Sequence, residues 1–199
     1  MKLKLLGIIG LVLLIINQFM ITKGDEFVQN QQIDFAHWAL LFGALFTISF
    51  TYIFPKNIFN TIATVLTIIG IVAHIGMATI DFAIWSFGDD YTGMTEFILQ
   101  LKGKPSIWLP FMTVGPSFLF IGLSIHGWRF IRTHPIGSIL TIGGATMIGL
   151  SAFLFSNKLF TVLAYTIFSI GLALLAYRKD KKMASLISSH RRQRLSHCV

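Results

Sequence analysis

The chain has 199 residues, of which 54% are hydrophobic and 12% charged, with a mean hydropathy of +0.74 and a formal net charge of +8. A soluble domain carries about 25% charged residues and has no core able to bury this much apolar surface, which excludes that class and leaves an all-α polytopic membrane protein. The single cysteine, Cys198, excludes an intramolecular disulfide and a thiolate metal site.

In chain order, apolar runs of about 20 residues predict six spanning helices, at about 5–21, 35–54, 58–85, 106–130, 136–155 and 159–177, so that 1–177 is one transmembrane domain. The first run follows Lys2 and Lys4, as the core of a signal peptide would. The segment after it, "NQFMITKGD", has no small-x-small cleavage site, so the run is expected to remain as helix one. Runs two and three are joined through "PKN" and predict a tight hairpin. The one long connection, 86–105, contains "MTEFILQL", which is apolar on one side and predicts a short helix lying at the membrane surface. In run four, Gly115 and Pro116 fall mid-helix. Pro116 cannot donate to the carbonyl four residues back, so a kink or break is expected there, a feature shared by binding helices of transporters and by ordinary membrane helices. No connection is long enough for a soluble catalytic domain.

Beyond Tyr177, residues 178–199 form a basic tail with seven of the sixteen Lys and Arg residues. A tail of this kind reads first as a topology signal and second as a patch for anionic lipid; a nucleic-acid partner is not expected. With the N-terminus in the cytoplasm, twelve of the sixteen basic residues fall inside, against Lys23, Lys102, Lys104 and Lys158 outside. That bias predicts two cytoplasmic termini in a plasma membrane. The tryptophans agree: Trp38, Trp85 and Trp108 fall at outer span ends and Trp128 at an inner one, where a half-wet indole anchors a helix. The abundance of Ile, Phe, Lys and Asn looks like a low-GC bacterium.

Residues 42–73 align with 143–174 at seven of 32 positions, including Gly43 with Gly144 and Gly70 with Gly171. The alignment suggests a 3+3 inverted repeat of the kind found in secondary transporters, or two hairpins that independently use small residues for close packing.

Ionisable groups inside a membrane are expensive and mark functional candidates. Four stand out: Asp34 and His37 at the outer end of span two, and His74 and Asp81 in span three. His74 lies about 24 Å deep at 1.5 Å per residue and Asp81 about 10 Å further out, so His74 is the deeper and stronger candidate. His126 and His134 are expected at the inner interface, where a histidine costs little. Imidazole with carboxylate fits proton relay, divalent metal binding or orientation of a substrate amine. A b-type haem between His37 and His74 is disfavoured by their difference in depth. Against these stands the reading that each histidine only satisfies a helix–helix hydrogen bond.

No nucleophile-elbow, zincin, Walker or Rossmann pattern is present, which leans away from an enzyme. The leading expectation is proton- or ion-linked transport of a small solute through the outer-half cluster, with no metal site and no cofactor predicted. The alternatives are a non-catalytic membrane subunit or assembly factor, and a haem- or metal-binding redox protein.

Overall fold

The structure is a computed structural model and describes residues 1–24, 27–28, 31–55, 57–151, 154 and 157–178. Its helices are α1 (Lys2–Thr22), α2 (Phe35–Phe46), α3 (Ser49–Ile53), α4 (Ile58–Trp85), α5 (Tyr91–Lys102), α6 (Pro105–Trp108), α7 (Ser117–Trp128), α8 (Pro135–Leu150) and α9 (Lys158–Ala176), with a π-helical turn at Leu109–Thr113. There is no strand among the described residues.

Helix ends follow local chemistry. Asp34, Asn57, Asp90 and Asn157 each accept the backbone N–H three residues on, which satisfies a donor the helix would otherwise leave bare. Pro105 and Pro135 open α6 and α8, where a missing N–H is harmless. Phe54, forced into extended backbone before Pro55, ends α3.

Four segments are long and apolar enough to cross a membrane: Lys2–Thr22, Phe35–Ile53, Ile58–Trp85 and Lys158–Ala176. Pro105–Thr113 with Ser117–Trp128, bent by 41°, makes a fifth if it is one span. The expected run at 136–155 appears as the shorter apolar helix Pro135–Leu150, and Phe155 lies outside the described residues. By length and composition, then, four of the expected six runs, or five with the bent pair, form helices long enough to cross a membrane among the described residues. The tail from Lys179 onward, with Cys198, also lies outside them.

The break in run four falls where Gly115 and Pro116 sit. A Cβ on Gly115 would lie 1.7 Å from the Pro110 carbonyl oxygen, so only glycine lets the chain fold back this closely after the π turn. The short helix expected around "MTEFILQL" forms as α5.

Helices pack in chain order: α1 on α2, α2 on α4, α4 on α7, α7 on α8, α8 on α9, and α9 back on α1, closing a ring. Small residues bring the backbones together. A Cβ on Gly70 would meet the Leu119 backbone nitrogen at 2.0 Å, and one on Gly144 the Phe168 nitrogen at 2.5 Å. The aligned glycines do not meet equivalent partners: Gly43 faces Leu14 of α1 while Gly144 faces α9, and Gly70 faces α7 while Gly171 faces Thr141 of α8.

The outside of the ring is apolar, with Phe59, Ile136 and Leu159 about seven-tenths exposed, whereas Asn17, Thr47, Thr67, His74, His126, Ser138 and Thr141 are buried. A soluble protein has the opposite arrangement. Most of the buried hydroxyls donate to carbonyls of their own helix, as Thr67 does to Ala63 and Thr141 to Gly137.

Candidate functional site

Asp34, His37 and Asp81 come together at the end of the bundle that carries α5. The Asp34 carboxylate has two tasks. One oxygen accepts the His37 backbone N–H at 3.1 Å and starts α2; the other lies 2.6 Å from Nδ1 of the His37 ring. The three-residue spacing produces this, because the N-cap and third helical residue lie one above the other. The Asp34 side chain is 2% exposed, so these contacts rather than water satisfy its oxygens.

The other ring nitrogen, Nε2, faces Asp81 of α4, with Oδ2 at 3.6 Å. That is too long for a hydrogen bond but within reach of an ion pair when the ring is protonated. One imidazole thus lies between two carboxylates from two helices. Phe82 holds the ring edge-on at 6.1 Å between centroids and packs on Trp38 at 5.0 Å. From α1, buried Asn17 donates to the Ala36 carbonyl at 2.9 Å and fixes the first turn of α2 beside the cluster. His37 and Asp81 line a cavity of about 280 Å³ with Trp85, Met94 and Ile98. The Trp85 indole N–H, at 3.3 Å, donates to the Val28 carbonyl.

His74 does not join this cluster. It is 1% exposed, and its Nδ1 donates to the Gly70 carbonyl of its own helix at 2.8 Å. Its ring packs edge-on against Phe120 of α7 at 5.8 Å. His74 and Asp81 are two turns apart on one face of α4, but that face meets α7 at the level of Gly70 and His74 and α2 at the level of Asp81 and Phe82. His37 and His74 are therefore not brought together. No group of three His, Cys, Asp or Glu side chains able to hold a metal occurs among the described residues.

His126 is a correction. Expected at the interface, it is fully buried, because α7 turns Leu119, Gly122, Leu123 and His126 toward the interior. Its ring stacks on Phe54 at 5.2 Å and its Nε2 is 3.5 Å from the Thr64 hydroxyl. Arg178 lies over Phe130 at 4.1 Å and over Phe54 at 5.6 Å. His134 precedes α8 as its N-cap, without a side-chain cap. Of the tryptophans, Trp38 and Trp128 are 42% and 63% exposed, and Trp108 carries Lys102 over its ring.

Sequence reasoning passed over Asn17, which is legible as the one amide pair, Asn17-Gln18, inside an otherwise apolar first run. It also passed over Tyr165 and Ser124, which carry no signal until the ring closes around them. Compared with known proteins, the chain matches no family model, no curated protein and no solved structure.

Proposed function

We propose that this chain is a six-span protein of a bacterial plasma membrane with both termini in the cytoplasm, and that it moves protons, or a small solute coupled to them, through the cluster Asp34–His37–Asp81. The Lys/Arg asymmetry supports the orientation and puts the cluster at the outer face. The basic tail then faces anionic lipid headgroups of the inner leaflet. The inverted repeat has no part in this reading, since the aligned glycines meet unrelated partners.

The observation that carries the proposal is the imidazole with a carboxylate at each nitrogen, supplied by two helices. With two N–H groups the ring donates to Asp34 and attracts Asp81, joining α2 to α4. With one, the proton stays on Nδ1 against the closer carboxylate, and Nε2 and Asp81 become two acceptors that no longer attract. A single proton therefore decides whether the two helices are tied at this end. The cavity shared by His37 and Asp81 gives that proton, or a small solute, a place to arrive.

The test is flux into proteoliposomes followed with a trapped pH dye. Asp81→Asn keeps shape and removes the charge. It is expected to lower flux on the order of 10²-fold, the usual size of effect when a positioned proton-transfer group is lost, and to flatten its pH dependence. Unchanged flux with unchanged pH dependence would overturn the proposal.

A further inference from the structure

A second, larger cavity of about 630 Å³ lies between α4, the broken α6–α7 segment, α8 and α9. It is in the size range of sites that enclose a whole small molecule. None of the described residues lining it is Asp, Glu, Lys or Arg, so a charged solute would enter without a counter-ion. An apolar wall favours an uncharged occupant.

Three polar groups on that wall have no hydrogen-bond partner among the described residues. His74 gives its Nδ1 proton to Gly70, so its neutral ring presents a bare Nε2 lone pair, and that nitrogen has no hydrogen bond to the described residues. Tyr165 is 6% exposed, and its hydroxyl likewise makes no hydrogen bond among them. The Ser124 hydroxyl is buried without a partner. A lone pair that only accepts, beside two hydroxyls that donate or accept, fits a ligand with an O–H group and a further oxygen. His74 and Tyr165 flank the same residue, Phe120, edge-on at 5.8 and 5.3 Å. The thioethers of Met77 and Met112, also on the wall, favour contact with an aromatic ring.

The cavity is not sealed. Trp128 and Ile121, two turns apart along α7, belong to its wall and are 63% and 46% exposed. That flank of α7 is apolar, as an alkyl chain lying along it would require.

We propose that this cavity binds a lipid-soluble benzoquinol, with a ring hydroxyl donating to His74 Nε2, the second oxygen meeting the hydroxyls of Tyr165 or Ser124, and the chain lying along α7. This site is separate from the proton cluster and does not depend on its role.

The experiment titrates the full chain in detergent, under argon, with a decyl-substituted benzoquinol and follows quenching of tryptophan fluorescence, to which Trp128 on the wall contributes. Saturable quenching is expected. His74→Phe removes the acceptor and is expected to weaken binding about tenfold, and Tyr165→Phe about fivefold, the range for one lost hydrogen bond. Gly149→Leu keeps the test independent of folding at His74, because a Cβ at Gly149 meets nothing within 4 Å and its side chain grows into the cavity. It is expected to abolish saturable binding. Decanol, which has the chain and a hydroxyl but no ring, is expected to compete at least about tenfold more weakly. Saturable binding that survives both His74→Phe and Gly149→Leu, or equal competition by decanol, would overturn the proposal. Since His74→Phe leaves Asp34, His37 and Asp81 intact, its pH-dependent flux is expected to persist, so the two proposals fail separately.

Discussion

His37 and His74 lie on neighbouring helices of one ring and do opposite things with their nitrogens. His37, near the bundle end, turns both toward carboxylates, one on its own helix and one across the gap to α4. His74, mid-helix, spends one nitrogen on its own backbone and leaves the other on the wall of an uncharged cavity. The contrast teaches that depth is a poor guide to what a membrane histidine does. A deep imidazole can spend one nitrogen within its own helix and leave the other free on a cavity wall. A shallow one lies between two carboxylates of two helices, and the proposal gives its proton the task of joining them.

The largest break in this comparison removes both regions at once. Gly70→Leu would drive a side chain into the Leu119 backbone and separate α4 from α7. A loss beyond about 3 kcal/mol is expected, since neither backbone can yield as a side chain does. Fluorescence-detected size exclusion should show aggregate or no peak; a monodisperse peak at wild-type yield would contradict the packing.

A smaller change touches one region only. Asn17→Ala strips the buried donor from the Ala36 carbonyl beside the cluster and leaves the larger cavity intact. The Ala36 carbonyl keeps its partner within α2, so the loss is that of one hydrogen bond, roughly 0.5–1.5 kcal/mol, which should appear as a lower melting temperature with quinol binding unchanged. Equal damage to both regions would show that they are not separable.

Smallest is the split at Asp34. Asp34→Ala loses the N-cap of α2, worth about 1 kcal/mol, while Asp34→Asn caps nearly as well and loses only the charge beside His37. Thermal melts should rank wild type and Asn together, with Ala below. Flux should rank wild type alone, with both variants impaired. If Asn transported like wild type, the carboxylate would be only a cap.

How far the sequence announced all this varies by level. The apolar runs, the Asx caps and the break at Gly115-Pro116 were legible, since hydropathy, side-chain reach and a missing N–H act locally. The Asp34–His37 pair was legible too, being three residues apart on one helix. The partner of His37 was not. Counting residues gives height along a helix and a face, but not which neighbour that face meets, and α4 changes neighbours between His74 and Asp81. The burial of His126 was hidden for the same reason: nothing in "GLSIHGW" says that α7 turns that residue inward toward Phe54. The larger cavity needed four helices placed at once, so no stretch of sequence could announce it.

The central claim is that the histidine between acids handles the proton and the deeper one does not. The most direct measurement sets His37→Gln and His74→Gln side by side in the same proteoliposome flux assay, across a range of pH. The account predicts that His37→Gln loses flux and its pH dependence while His74→Gln keeps both. The reverse order, with His74→Gln losing flux and its pH dependence and His37→Gln behaving like wild type, would contradict it.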